Sequence, residues 1–340
     1  MHEYPFEVTT VRLAVIVGIV AGMLLYERVQ LTTGGAIVPG YFALFLPTPP
    51  LILMTLLTAY LTYFIVNRVL ASRYILYGRR KYEVEILVAL TLVSLWFGLA
   101  HYVLRFSPLL SALVGIGFVI PALIAHDMFR QGQRKTMIAI LANTAVAGLF
   151  IYVFHSLLRI SPWYEDSHVD ELGVGSLAYP VDLLLPGVIV SVGVGMLVFG
   201  KLGLRTGGFV TGAYLALVLL RPPDLLFVLA VAALAYLFVA GLLTRHALVF
   251  GRRRFGMTIL IGAIFGWAGE LGLQAFTNGR YAPWQGFNVI TLVVPALLAN
   301  DAQRQGLYRT LWGAGLTAVA VYSAMNLLEA ARLAAWPAAF

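Results

Sequence analysis

Two short basic motifs contain the side chains of this chain that are best suited to bind an anion. They consist of Arg79, Arg80 and Lys81 and of Arg252, Arg253 and Arg254. The planar guanidinium of arginine can donate two parallel hydrogen bonds to one carboxylate, whereas a lysine ammonium acts as a point charge. The chemistry open to these basic motifs is therefore the recognition of an acidic polymer or of a partner protein. Basic loops also set membrane topology and attract anionic lipid, and that alternative stays open.

A second motif, the Asp-Gln motif, places a carboxylate, a guanidinium and an amide close together in sequence. Its members are Asp127, Arg130, Gln131 and Gly132, and again Asp301, Arg304, Gln305 and Gly306. On a helix the aspartate and the arginine would share a face, so an ordinary surface ion pair is the simplest interpretation. The functional alternative is that Arg130, Gln131, Arg304 and Gln305 bind the same polymer or partner as the basic motifs.

Both motifs belong to a duplication. Gly34 and Gly207 are separated by 173 residues, and the two basic motifs have the same separation. The two Asp-Gln motifs are 174 residues apart because one residue is inserted upstream of the second. Two copies of one unit therefore fill the chain. We predict a first membrane repeat over residues 1–160, an acidic linker outside the cytoplasm over 161–181, and a second membrane repeat over 182–340.

Composition predicts the fold class. Hydrophobic residues make up 61% of the chain and charged residues 11%, and apolar runs follow one another almost end to end. Backbone inside lipid must satisfy its own hydrogen bonds, so these runs are expected to form helices. The fold is predicted to be an all-α polytopic membrane protein. The chain has no cysteine and no nucleotide-binding or metalloprotease motif, so we expect no cofactor and no metal in it.

Each copy is predicted to contain about six membrane segments. The segments are 11–27, 36–46, 51–71, 84–104, 109–125 and 136–158 in the first copy, and 183–199, 209–220, 224–244, 256–276, 286–299 and 310–331 in the second. The second segment of each copy is too short for a straight crossing. If it crosses, the copies are parallel; if it re-enters, each copy crosses five times and the copies are inverted. Loop charge favours parallel copies, because most basic residues then face the cytoplasm.

Short apolar segments interrupted by glycine or proline, at matching places in both copies, predict a binding site. The residues of this broken-helix site are Gly35, Pro39, Gly40, Tyr41, Pro121, Gly208, Tyr214, Pro295 and Asn300. We expect Tyr41 and Tyr214 to be equivalent positions near the interface between the copies. A proline kink satisfied by neighbouring helices is the alternative for each proline. Glu270 is predicted to be an intramembrane carboxylate that faces protein or water, with Gln274 as an available structural partner.

The motifs resemble one known family, the PgsC/CapC membrane proteins of bacterial poly-γ-glutamate biosynthesis. The residues that carry the resemblance are Glu27-Arg28, Gly34-Gly35, Val38 to Tyr41, Ala43-Leu44, Ile75 to Tyr82, Pro295, Leu297 to Asn300, and Gln303 to Gly306. Usual members are about as long as one copy, so the resemblance covers this chain twice. Neither copy carries the whole pattern. The first has His126 and Phe129 in place of Asn300 and Gln303, and the second has Gly200 and Gly212 in place of Glu27 and Pro39.

The resemblance implies a non-catalytic membrane subunit of a synthase and export complex for poly-γ-glutamate or a related anionic polyamide. Its implied partners are a separate cytosolic Mur-ligase-like ATP-dependent ligase, further export subunits, the polymer and the lipid bilayer, with no nucleic acid. The implied location is the bacterial inner membrane. Two alternatives remain open from the residues: a self-sufficient transporter of a small anion, and a scaffold that only anchors the ligase.

Overall fold

The computed structural model describes residues 8–102, 117–160, 177–246, 251–284 and 289–335, and these ranges contain helices and turns but no strand. The chain divides into two compact units, Met1–Asp166 and Ser167–Phe340. The predicted all-α fold class is confirmed. Most of the predicted linker, residues 161–176, lies outside the described residues.

Unit 1 contains six helices in its described part. They are α1 (Val8–Val29), α2 (Val38–Leu44), α3 (Pro49–Phe64), α4 (Gly78–Tyr102), α5 (Ile120–Gln131) and α6 (Gln133–Ile160). The last turns of α3 continue as a π-helix over Ile65–Leu70.

Unit 2 repeats this order in the part of it that is described. Its helices are α7 (Leu184–Leu202), α8 (Thr211–Leu217), α9 (Pro222–Leu237), α10 (Gly251–Phe276), α11 (Ile290–Gln305) and α12 (Leu307–Ala335). A 3₁₀ turn (Val181–Leu183) precedes α7, and α9 continues through a π-helix (Phe238–Leu243) into Thr244–His246. The two π-helices lie at the same position in their units, so the duplication extends to this irregularity.

Eight helical stretches in the described ranges are long and apolar enough to cross a bilayer, which makes the chain a multi-pass membrane protein. They are Thr9–Val29, Pro49–Leu70, Gly78–Leu99, Gln133–Phe154, Val181–Leu202, Pro222–His246, Gly251–Phe276 and Leu307–Arg332. Helices α2 and α8 have 7 residues each, about 10 Å at 1.5 Å per residue. Within the described ranges, therefore, eight helices and not twelve are long and apolar enough for a full crossing. The predictions that the short segments cross the membrane and that the copies are parallel remain predictions, as does the alternative of re-entrant segments and inverted copies.

The short helices are buried among the long ones by close backbone packing. Helix α2 packs against α1 and α6, and α8 packs against α7 and α12. A Cβ atom on Gly40 would lie 2.5 Å from the carbonyl oxygen of Ala14 and 2.9 Å from the Cα of Val15. In unit 2 a Cβ on Gly212 would instead meet the side chains of Ser191 and Thr317. Small residues allow this approach where lipid supplies no hydrophobic drive for helix association.

The breaks in the short segments do not lie where the prolines predict them. Pro39 lies in the first turn of α2 and Pro121 in the first turn of α5, where the missing N–H of proline costs nothing. The chain instead turns at Gly34 and Gly35, whose φ angles of +73° and +117° favour glycine. Pro295 lies inside α11, which is continuous from Ile290 to Gln305, so the predicted break at this proline is wrong.

Two predicted segments are also displaced along the chain. The segment predicted over 109–125 falls partly on residues 109–116, outside the described ranges, and α5 begins at Ile120 and continues to Gln131. The segment predicted over 286–299 continues as α11 to Gln305. As a result, both Asp-Gln motifs form the last turns of helices.

Candidate functional site

In unit 1 the Asp-Gln motif holds the loop that contains Gly34 and Gly35. The backbone N–H of Thr32 donates to Oε1 of Gln131 at 2.8 Å, and Nε2 of Gln131 donates back to the carbonyl oxygen of Thr32 at 2.5 Å. The N–H of Gly34 donates to Oδ2 of Asp127 at 3.0 Å. Asp127 is only 2% exposed, so this hydrogen bond is buried. We call this arrangement the glycine-loop clamp.

Unit 2 contains the same glycine-loop clamp. Gln305 accepts from the N–H of Arg205 at 2.8 Å and donates to its carbonyl oxygen at 2.8 Å. The N–H of Gly207 donates to Oδ2 of Asp301 at 3.1 Å. Asp301 also faces NH1 of Arg205 at 3.6 Å. The aspartates therefore fix backbone, which the interpretation as exposed surface ion pairs did not predict.

A single glycine joins the clamping helix to the next helix in each unit. Gly132, with φ of +92°, is the one residue between α5 and α6, and Gly306, with φ of +89°, has the same place between α11 and α12. The hydroxyl of Thr136 donates to the carbonyl oxygen of Gly132 at 2.9 Å and accepts from Nε2 of Gln131 at 3.0 Å. Thr310 repeats both bonds in unit 2. The glutamine side chains thus connect loop, helix end and next helix.

Two members of the basic motif of unit 1 make contacts within the protein. Nε of Arg79 donates to Oε1 of Glu83 at 2.8 Å. Lys81 is 5% exposed, and its Nζ lies 2.8 Å from the ring centroid of Phe129 on α5. Such a cation–π contact stabilises a cation that has been withdrawn from water. Among the three basic residues of this motif, Arg80 is the most exposed.

A buried carboxylate and a histidine connect α4 to α5 one turn further along. Nδ1 of His126 lies 2.7 Å from Oε2 of Glu85, which is fully buried. The ring of Tyr82 meets the ring of His126 edge-on, with 4.7 Å between centroids. Sequence reasoning noted His126 as a departure but missed Glu85, because the contact joins residues on different helices.

The basic motif of unit 2 is held by an amide instead. Nε of Arg254 donates to Oε1 of Gln303 at 2.5 Å, and NH2 of Arg254 lies 3.4 Å from the carbonyl oxygen of Gln303. Nε2 of Gln303 in turn donates to the hydroxyl of Thr258 at 3.0 Å. Gln303 replaces Phe129, and Thr258 replaces Glu85. Both contacts between α10 and α11 are therefore made by different chemistry from those between α4 and α5.

These contacts bring the three repeated motifs to one end of each unit. The glycine loop, the Asp-Gln motif and the basic motif meet there, although the loop lies 93 residues from the aspartate in unit 1 and 94 in unit 2. Arg130 and Arg304 are exposed beside them. The predicted role of these arginines and of Gln131 and Gln305 in binding stays a prediction, and the structure gives both glutamines a role in holding the loop.

The remaining residues of the predicted broken-helix site are distributed along the short segments. Gly35 and Gly208 are in the two glycine loops, while Gly40 and Pro39 are buried in α2 and Pro121 and Pro295 in α5 and α11. Tyr41 is half-buried, and Tyr214 is 8% exposed with its ring centroid 6.5 Å from that of Trp284. Asn300 is half-buried on α11. Their ligand role, and the position of the tyrosines near the copy interface, stay predictions.

Two further buried acids lie in unit 2. Glu270 is 3% exposed on α10, which places it among protein atoms. Asp224, 1% exposed at the start of α9, accepts from the hydroxyl of Tyr281 at 2.6 Å and from the N–H of Trp284 at 3.2 Å. Burial, and then the hydrogen bond to Asp224, raise the pKa of the Tyr281 phenol. Sequence reasoning missed this cluster, because unit 1 has Leu51 at the position of Asp224.

Comparison with known proteins agrees with the duplication. The family model described as "Capsule biosynthesis CapC" matches residues 17–137 and again residues 190–311, together more than half of the chain. The chain is 32% identical over 142 residues to the "PGA biosynthesis protein CapC" of Bacillus subtilis (strain 168), covering 41% of this chain and 93% of that protein. It is 34% identical over 125 residues to the "Capsule biosynthesis protein CapC" of Bacillus anthracis, covering 37% and 82%. No solved structure matches the chain.

Proposed function

This chain belongs to the CapC family of capsule-biosynthesis proteins, and on that basis we propose that it is a membrane subunit of a complex that makes and exports poly-γ-glutamate or a related anionic polyamide. The two similar proteins are named for PGA biosynthesis and for capsule biosynthesis. The predicted location is the inner membrane, with the basic ends of both units toward the cytoplasm. Amide-bond formation from carboxylates needs activation, which we assign to a separate cytosolic ATP-dependent ligase.

The observation that carries the proposal is the repeated basic end. In each unit a basic motif lies next to the glycine-loop clamp and next to an exposed arginine, Arg130 or Arg304. A polymer of ionised carboxylates is attracted to such a surface, and bidentate hydrogen bonds to arginine hold it more specifically than charge alone. The surface then retains the growing chain while the ligase adds the next unit.

The testing experiment separates arginine recognition from charge. The variant Arg79→Lys, Arg80→Lys, Arg252→Lys and Arg253→Lys keeps every positive charge, so it inserts with normal topology, but it loses the guanidinium forks. We expect lower output of surface polymer, measured in cells that express the variant at the wild-type level. Wild-type polymer output together with wild-type copurification of the ligase would contradict the proposal.

A second measurement separates this proposal from its alternatives. Purified protein reconstituted alone into vesicles is expected not to accumulate labelled glutamate, because the proposed subunit acts only within a complex. Accumulation by the protein alone would favour a self-sufficient anion transporter. Two results together would favour a scaffold. Polymer output survives the arginine changes, and the ligase leaves the membrane fraction when the chain is deleted.

A further inference from the structure

The two basic motifs differ in the charges that follow them on the same helix. Helix α4 begins Gly-Arg-Arg-Lys-Tyr-Glu-Val-Glu over residues 78–85, and α10 begins Gly-Arg-Arg-Arg-Phe-Gly-Met-Thr over 251–258. The first stretch has three cations and two carboxylates, whereas the second has three cations and no carboxylate. An anion that approaches α10 therefore meets a stronger positive potential than one that approaches α4.

In unit 1 both carboxylates lie inside the protein and are placed to offset the cations. Glu83 is 4% exposed and binds Arg79, while Glu85 is fully buried against His126. Lys81 is withdrawn from solvent beneath Phe129. Because a buried negative charge is poorly screened, these groups lower the attraction of the motif for a second anion.

In unit 2 the equivalent positions orient a cation instead of neutralising it. Gly256 replaces Glu83, and Thr258 replaces Glu85. Gln303 accepts from Arg254 through an uncharged amide, which fixes the guanidinium while its positive charge remains uncompensated by that partner. Arg253, which precedes Arg254, and Arg304, which follows Gln303, are both exposed.

We propose that the carboxylates of the polymer bind to unit 2, at the surface formed by Arg252, Arg253, Arg254 and Arg304, and that the equivalent surface of unit 1 does not bind them. This inference rests on the proposed function, since it assigns the polymer surface to one of two repeated ends. Arginine can hold a carboxylate with two parallel hydrogen bonds. Unit 1 has the same backbone arrangement but does not take part in polymer binding.

The test compares matched variants of the whole chain, purified in detergent. The probe is a fluorescent oligomer of γ-linked glutamate of one defined length, and its affinity is measured by fluorescence anisotropy. Arg252→Gln with Arg253→Gln is expected to weaken binding by about tenfold, or ~1.4 kcal/mol. Arg79→Gln with Arg80→Gln, the same change at the matched positions, is expected to change affinity less than about twofold, ~0.4 kcal/mol. Added salt should weaken wild-type binding more than that of the unit 2 variant.

Each outcome decides between the two statements. Wild-type binding with an equal or larger loss in the unit 1 variant overturns the inference and leaves the proposed function standing. No binding by the wild-type protein removes retention of the polymer by this chain, and the inference with it. Thermal unfolding and size-exclusion profiles identify a misfolded variant. Arg253→Gln alone, an exposed single change, then replaces the double variant, with an expected loss of about threefold, ~0.7 kcal/mol.

Discussion

At the end of each unit where the motifs meet, the backbone arrangement is the same and the surrounding side chains are not. Asp127 and Gln131 hold the glycine loop of unit 1 with the same hydrogen bonds that Asp301 and Gln305 make in unit 2. One turn away, a glutamate–histidine pair in unit 1 is replaced by threonine and asparagine in unit 2. The residues that hold the glycine loop are thus the same in both copies, while those that connect α4 to α5 and α10 to α11 differ in chemistry and charge.

The largest expected difference concerns one glycine in each short helix. The two are neighbours in the alignment and not equivalent positions, since Gly212 replaces Pro39 and Ala213 replaces Gly40. Gly40→Ala is expected to destabilise the protein by about 3 kcal/mol, since its Cβ would meet the backbone of α1, which cannot move without repacking. Gly212→Ala is expected to cost about 2 kcal/mol, because its Cβ would meet side chains rather than backbone, and Ser191 and Thr317 can shift only by disturbing their own hydrogen bonds. The free energy of unfolding in detergent measures both. Gly193→Ala, with open space around its Cβ, is the control; an equal cost for the first two variants would contradict the distinction.

The shared clamp predicts similar effects in the two units, with any excess expected at Asp301, which also faces Arg205. Asp127→Ala and Asp301→Ala each leave a buried glycine N–H without its carboxylate, at an expected cost of about 2 kcal/mol in the free energy of unfolding. Asp127→Asn keeps an oxygen acceptor and should cost less. Wild-type stability in either alanine variant would show that its loop does not depend on the clamp.

A smaller effect is expected where Phe129 and Gln303 occupy equivalent positions. Gln303→Phe removes the acceptor that orients Arg254, so the affinity for the glutamate oligomer should fall by about threefold, ~0.7 kcal/mol. The reverse change, Phe129→Gln, should leave that affinity unchanged within error. Anisotropy titrations of both variants provide the measurement, and a loss confined to Phe129→Gln would reverse the assignment of the two units.

The smallest effect concerns pH, at the Asp224 cluster that unit 1 lacks. Because the folded-state pKa of Tyr281 is raised, its stabilising contribution is fully present below pH ~10, where the unfolded phenol is also protonated. That contribution is lost as the pH rises from there through the raised folded pKa. Asp224→Asn removes a charge that opposes ionisation, so its alkaline loss of unfolding free energy should be shallower than in the wild type. Parallel curves between pH ~9 and ~11 would contradict this linkage.

The sequence predicted those features that depend on local pattern. Apolar runs gave the all-α class, and the constant separation of Gly34 and Gly207 gave the duplication. The clamp could not be predicted in the same way, because Gln131 binds Thr32 across 99 residues and its amide could equally have faced water. The one available signal was that the glycine loop and the Asp-Gln motif occur together in both copies, which could have indicated a contact between them. Pro295 was misleading because packing against neighbouring helices decides whether a proline breaks a helix, and the sequence alone does not show that packing. Helix α11 is continuous through Pro295.

The single glycine between α5 and α6 forms a tight helix–helix junction. With φ of +92° and ψ of +149°, Gly132 occupies a conformation that is essentially restricted to glycine, so the two helices meet at an angle defined by one residue. Gln131 before this junction and Thr136 after it are joined by a hydrogen bond, and Thr136 also donates to the carbonyl oxygen of Gly132. Changing the angle between α5 and α6 would therefore require a change in the backbone angles of Gly132 or the loss of the hydrogen bond between Gln131 and Thr136. The same holds at Gly306, where Gln305 and Thr310 make the equivalent bond.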